Sequence, residues 1–171
     1  MTDSGSAPTA RFNAIYYDNQ GDMQGVSREL QWSWYTRFLN LGMQWQPAEN
    51  TEVLAQAMKG VTRMGYAMPA GRWVNVDFES AYGLVSQSFG ANAVTGRLDY
   101  FRNSDQAAAL YGNLDEHGWA GTVDYRRTFS PHAQLFLEAM HIDSDRPERT
   151  LAGDAARQRE TLVQALARFS F

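Results

Sequence analysis

Apolar and polar residues alternate along most of this chain with a period of two. The last segment shows it most clearly. Thr161, Val163, Ala165, Ala167, Phe169 and Phe171 fall on one side of an extended chain, and Leu162, Gln164, Leu166, Arg168 and Ser170 on the other. A helix from Arg157 to Phe171 is the competing reading, since Ala, Gln, Arg and Leu are good helix formers, but the closing Arg-Phe-Ser-Phe argues for a strand. The alternation recurs upstream. Tyr35, Leu39, Leu41, Met43 and Trp45 alternate with Thr36, Phe38, Asn40, Gly42 and Gln44. Val74, Val76, Phe78, Tyr82 and Leu84 alternate with Asn75, Asp77, Glu79 and Gly83. Val94, Leu98 and Tyr100 alternate with Thr95, Arg97 and Asp99, and Trp119, Val123 and Tyr125 with Thr122, Asp124 and Arg126. Leu135, Leu137 and Ala139 alternate with Gln134, Phe136 and Glu138. Arg11 to Asp18 and Glu52 to Arg63 repeat the pattern more weakly. About eight strands of roughly 9–14 residues are predicted, longer than the ~5–6 of an ordinary globular strand and enough for the ~9–11 that cross a bilayer.

The connections support this segmentation. Pro8, Pro47, Pro69, Pro131 and Pro147 are expected between strands, because proline cannot donate to a ladder. Short turns are predicted at Gln46 to Asn50, Ser88 to Asn92 and Ser130 to His132. Longer loops are predicted at Asn19 to Leu30, Gly65 to Gly71, Asn103 to Glu116 and Asp145 to Glu160. Short and long connections therefore alternate, as in barrels of the bacterial outer membrane, whose turns are periplasmic and whose loops are extracellular. The expected fold is an all-β, antiparallel, up-and-down transmembrane β-barrel. Residues 1–9 form a flexible N-terminal segment, and residues 10–171 form the barrel domain. Met1 to Thr9 lacks the basic start and apolar stretch of a secretory signal, which leaves a cytoplasmic protein or a mature or partial form of a longer one.

Composition removes several function classes. The 171 residues carry a formal net charge of -4, which argues against a nucleic-acid binder that must neutralise phosphates. Cysteine is absent, so disulfides, thiolate catalysis and Cys-ligated metals are excluded. No run approaches the ~18 apolar residues of a membrane-spanning helix.

Alternation leaves open which face meets water. A soluble barrel would turn the apolar face inward. The polar face mixes both charge signs with Gly and Thr, as a narrow lumen needs, and the chain holds a single lysine, Lys59, where soluble surfaces commonly use many. Apolar-out is therefore the expectation. Candidate pore-lining residues are Arg11, Asn40, Gln44, Gln56, Asp77, Glu79, Arg97, Asp99, Asp124, Arg126, Glu138, Gln164 and Arg168, with Asn13, Thr36 and Thr122 beside them. Trp45, Trp119, Tyr125, Phe169 and Phe171 sit near strand ends, where aromatic girdles meet lipid headgroups. In an eight-stranded barrel the polar residues would fill the interior, and in a wider one they would line a channel.

With these features the chain resembles bacterial outer-membrane porin-like β-barrel proteins. The resemblance is carried by Thr161 to Phe171, which ends in phenylalanine and looks like the signal read by the barrel assembly machinery. It is carried also by Thr36-Arg37-Phe38 with Leu41-Gly42 and Trp45-Gln46-Pro47, by Gln56-Ala57-Met58-Lys59-Gly60, by Asp115-Glu116-His117-Gly118 and by Asp143-Ser144-Asp145-Arg146-Pro147. It implies an outer-membrane location, outer-membrane lipid and lipopolysaccharide as surroundings, passive diffusion of small hydrophilic solutes, no cofactor and a homo-oligomer. General porins have ~16–18 strands and a signal peptide, so the chain reads as a small barrel or as the C-terminal part of a longer one.

Other readings remain. A non-conducting small barrel would serve envelope structure or adhesion. A lipid-modifying enzyme would draw on His141 and Ser144, although residues this close along one strand end seldom converge into a triad. Glu116 and His117 are neighbours and face opposite ways, and His132 belongs to a turn. The charge-rich stretch Asp143 to Arg159 is expected as a loop, either solvated or binding divalent cations and phosphorylated headgroups. Gly-rich phosphate loops and His-based metal motifs are missing.

Overall fold

The computed structural model describes residues 8–19, 34–65, 74–107 and 113–170. Eight strands run through them: β1 (Thr9–Asp18), β2 (Trp34–Ala48), β3 (Thr51–Met64), β4 (Val74–Phe89), β5 (Asn92–Asp105), β6 (Glu116–Ser130), β7 (Ala133–Asp145) and β8 (Arg157–Phe169). They form one sheet in chain order, each antiparallel to the next. The all-β, antiparallel, up-and-down class is as expected. Among the described residues β1 pairs with β2 alone and β8 with β7 alone. Among the described residues no helix is long and apolar enough to cross a membrane, which says nothing of strands that cross.

Turn lengths follow the predicted parity. Glu49-Asn50, Gly90-Ala91 and Pro131-His132 close the β2–β3, β4–β5 and β6–β7 hairpins in two residues at one end of the sheet. All longer connections leave the other end. The β7–β8 connection contains a 3₁₀ helix (Pro147–Ala152) with proline in its first turn. The expected loops at Asn19 to Leu30 and Gly65 to Gly71 fall mostly outside the described residues, as do Pro69, Phe171 and residues 1–7 of the N-terminal segment.

Two boundaries are corrected. Pro47 lies inside β2 rather than between strands. The ladder to β3 shifts register between Trp45 and Ala48, and this irregularity accommodates a residue with no N–H. Asp143 to Arg159 is not one loop. β7 continues to Asp145 and β8 begins at Arg157, because Asp143 pairs with Arg159 and Asp145 with Arg157 across the ladder, opposite charges face to face.

Cross-strand register sorts the side chains into two faces. On one face, Trp45, Val53, Val85, Val94, Tyr125 and Leu137 belong to strands whose next same-face residues are Met43, Ala55, Gly83, Gly96, Val123 and Ala139. This apolar face is the exposed one. Ala81, Gly83 and Val85 on β4 are exposed while Tyr82, Leu84 and Ser86 between them are half-buried, and β7 repeats this at Leu137 and Ala139. The polar face is thus the more sheltered side. Little is buried between layers: among the described residues Ala93 and Ala107 are the buried hydrophobics. β1 and β8 are exposed along nearly their whole length.

On the sheltered face two glycines receive aromatic rings. Gly60 pairs with Phe78, and a Cβ on Gly60 would stand 2.6 Å from Phe78 Cζ. Gly118 pairs with Phe101, whose Cζ would be 2.9 Å from such a Cβ. Nearby, Tyr17 and Phe38 stack with ring centroids 5.1 Å apart. Gly83 and Gly96, on the opposite face, meet nothing within 4 Å. We therefore expect Gly60→Ala and Gly118→Ala to destabilise the fold by about 1–3 kcal/mol through overpacking. Gly83→Ala and Gly96→Ala should change it by no more than about 0.5 kcal/mol. Urea-unfolding midpoints of the four variants, measured under the conditions in which the parent chain folds, check this contrast.

Candidate functional site

The sheltered polar face is the surface with the richest chemistry. Residues of one parity on each strand reach it, so its composition is dictated by register. Of the pore-lining candidates, Arg11, Asn40, Gln44, Gln56, Arg97, Asp99, Asp124, Arg126, Glu138, Gln164 and Arg168 all project here. So do Asn13, Thr36 and Thr122. Arg11, Asn40, Gln44 and Gln56 come together around one hollow of about 570 Å³, with Tyr82 on its floor.

Asp77 and Glu79 are corrections: they lie on the apolar face. Asp77 sits between Val61 and Ser104, and Glu79 between Lys59 and Arg102. The alternation in β4 is real, but its apolar set is the inward one. Val76, Phe78, Tyr82 and Leu84 share the polar face with Thr62, Gln56, Arg97 and Asp99. A period of two cannot reveal this inversion, because it fixes parity and not direction.

Short polar contacts knit the face together. Arg97 grips Asp99 through Nε at 2.9 Å and Nη2 at 2.5 Å, and its guanidinium lies 4.3 Å from the Tyr82 ring centroid. Gln44 donates to Glu52 at 2.8 Å, Gln164 to Glu138 at 2.6 Å and Thr95 to Ser86 at 2.9 Å. Thr36 and Thr62 share a hydroxyl hydrogen bond of 2.7 Å. Asp124 stands directly across from Glu138, so two carboxylates meet on adjacent strands with Arg126 two residues from the first. Such a surface can hold water, exchange ions and orient small polar solutes. Among the described residues no group of three or more His, Asp or Glu could hold a metal ion.

The opposite face carries the aromatic candidates. Trp45, Tyr125 and Phe169 lie toward the short-turn end and Trp119 toward the loop end. Tyr125 donates its hydroxyl to Asn92 at 2.7 Å. Sequence reading passed over Tyr16, Phe89, Tyr100 and Phe129, which belong to the same two rows. All four are exposed. Phe89 ends β4 and Phe129 is the next-to-last residue of β6, each just before a two-residue turn, and that position is the signal that could have found them.

The loop end is held by ion pairs. Asp143, 6% exposed, receives Arg157 at 2.7 Å and Arg159 at 2.9 Å. Arg149 binds Glu116 at 3.2 Å, the Ser144 hydroxyl at 2.9 Å and the carbonyls of Ser144 and Ala156. Arg146 pairs with Glu148. Most of the charges in this stretch are thus committed to one another. His141 and Ser144 project from opposite faces, His141 to Thr161 at 2.9 Å and Ser144 to Arg149, so they do not meet as catalytic partners.

Comparison with family models, with curated proteins and with solved structures finds no match for the chain. Function is therefore read from geometry. The loop-end network yields one expectation. Asp143→Asn leaves Arg157 and Arg159 facing each other without the charge between them, so amides of β7 and β8 near Asp145 and Arg157 should exchange with deuterium faster than in the parent chain. The substitution Asp154→Asn, at an exposed position outside this network, should leave their exchange unchanged.

Proposed function

We propose that this sheet is the wall of an outer-membrane β-barrel whose polar face lines a water-filled path for small hydrophilic solutes. One observation carries the reading. Over the middle of the strands the exposed face is apolar in all eight, with aromatic residues toward both ends, while the sheltered face carries charges of both signs at the same level. A soluble protein arranges its faces the other way round, with aliphatics sheltered. In lipid the arrangement is the stable one, and aromatic rings favour the headgroup level. Strands of 10–16 residues reach or exceed the ~9–11 that a tilted crossing requires.

Passage would be diffusion without turnover. Solutes would exchange their hydration shell for transient contacts with Arg97, Asp99, Gln56 and their neighbours, and mixed charge would limit preference for either ion sign. A second reading has its own support: the Arg97–Asp99–Tyr82 and Gln164–Glu138 contacts are internal pairings of the kind that fill a narrow, non-conducting barrel. Closure of the wall, by β1 on β8 or by further strands, is part of the proposal in either form.

The test is refolding from urea with and without detergent. We expect a β form that appears only with detergent and migrates faster on gels unboiled than boiled, and that gives stepwise conductance in planar bilayers. Folding in plain buffer would overturn the membrane reading, and a detergent-folded chain without conductance would favour the filled barrel. In a conducting chain, Arg97→Glu should shift the reversal potential in a potassium chloride gradient toward cation preference, since it exchanges a fixed positive charge for a negative one on the lumen wall.

A further inference from the structure

The apolar face changes character near the loop end of β2 to β5. There Arg37, Lys59, Arg63 and Arg102 stand against Asp77 and Glu79, with Asp18 of β1 across from Arg37, so the face holds one cation more than its carboxylates in a chain whose net charge is -4. Glu79 sits at the centre. Lys59 Nζ lies 3.3 Å from one of its oxygens, Arg102 Nη1 lies 4.0 Å from the other, and the Tyr100 hydroxyl donates to it at 3.4 Å. The carboxylate thus holds an ammonium and a guanidinium on its two sides. Both remain outward: the Lys59 side chain is 80% exposed and that of Arg102 is 56% exposed.

Directly below this triplet, on the side of the short turns, is a trough of about 380 Å³ in the apolar face. Ala57 and Ala81 make its floor, Leu39 and Leu41 one wall and Tyr100 the other, and Lys59 and Glu79 close its upper end. A small floor between tall apolar walls accepts a hydrocarbon chain. Two cations at its mouth accept an anion with several oxygens. The Lys59–Glu79 and Arg102–Glu79 pairs are exposed and worth little by themselves, so their nitrogens can turn to a phosphate at small cost.

We propose that this trough and its charged mouth bind one lipid of the surrounding leaflet whose headgroup ends in a free, net-anionic phosphate monoester, its acyl chain along Ala57 and Ala81 and that phosphate bridging Lys59 and Arg102. The proposal rests on the membrane reading above and deepens it. Glu79 is a positioning residue here. It spaces the two cations and limits the net charge of the triplet to one positive.

The chain refolded into dodecyl maltoside, checked first by the boiled and unboiled gel, is titrated with dilauroyl phosphatidic acid or dilauroyl phosphatidylcholine, and retained lipid is counted by native mass spectrometry. We expect one phosphatidic acid to be retained at about a tenth of the phosphatidylcholine concentration, the difference one charge-assisted contact supplies. The double variant Lys59→Gln, Arg102→Gln should retain phosphatidic acid no better than phosphatidylcholine, since only the Glu79 carboxylate then remains at the mouth. Ala81→Phe, which fills the trough, should lower retention of phosphatidic acid although both cations remain. Equal retention of the two lipids by the parent chain would overturn the proposal, as would a preference that survives the double variant. Displacement of the lipid by inorganic phosphate at the same concentration would also overturn it, since the trough would then contribute nothing. A folded, conducting chain without the preference refutes this site alone, whereas a chain that folds only in plain buffer removes the membrane reading with it.

Discussion

A strand that crosses hydrocarbon has to place every backbone amide and carbonyl in a ladder, because lipid offers no partner. On the membrane reading proposed above, that constraint accounts for the form of this sheet. The sheet is one layer thick and keeps a continuous antiparallel ladder through seven pairings, interrupted only near Pro47 and near Phe129, both beside short turns. With so little buried between layers, burial of a protein interior does not account for its stability. On the membrane reading the two faces find their solvents outside, hydrocarbon on one and water or polar side chains on the other. On this reading the outer edges of β1 and β8 need covering for the same reason, and ring closure supplies it.

The faces show how a two-residue period is put to use. Aliphatic residues at one parity give a belt in which, on the membrane reading, exposed Leu98 and Val123 are favourable rather than anomalous. The other parity is mixed along its length. Near the short turns it is polar, with Gln44, Glu52, Thr95, Asp124 and Glu138 in cross-strand contact or register. Toward the loops it becomes aromatic, with Phe38, Phe78 and Phe101, two of them lying over glycines of adjacent strands. Beyond the belt, charges pair across strands, as at Lys59–Glu79 and Asp143–Arg157. On the membrane reading such pairs would mark the level at which hydrocarbon gives way to headgroups and water.

The strands, their antiparallel order and the parity of the connections were legible in the sequence because each depends on local chemistry: alternation, proline placement and turn residues. The polar face was legible wherever the charged residues share a parity opposite to aliphatics, as in β5 and β6. It failed in β4, where Val76, Phe78, Tyr82 and Leu84 look like an outer face and are the inner one. Only their pairing with Thr62, Gly60, Gln56 and Leu54 fixes the direction, and pairing is not local. The same limit hid the Lys59–Glu79–Arg102 row, since its members are scattered over three strands and meet through register alone.

The central claim is that the aliphatic face meets lipid and the mixed face meets water or the barrel interior. The chain has no cysteine, so single cysteines can report each face separately. A fluorophore placed at Leu98→Cys or Val123→Cys, and at Thr95→Cys or Thr122→Cys on the other parity, would be measured in bilayers with lipids carrying a quencher on the acyl chain. The account predicts strong quenching at 98 and 123 and little at 95 and 122. Quenching at 95 and 122 instead, or equal response from both faces, would contradict it.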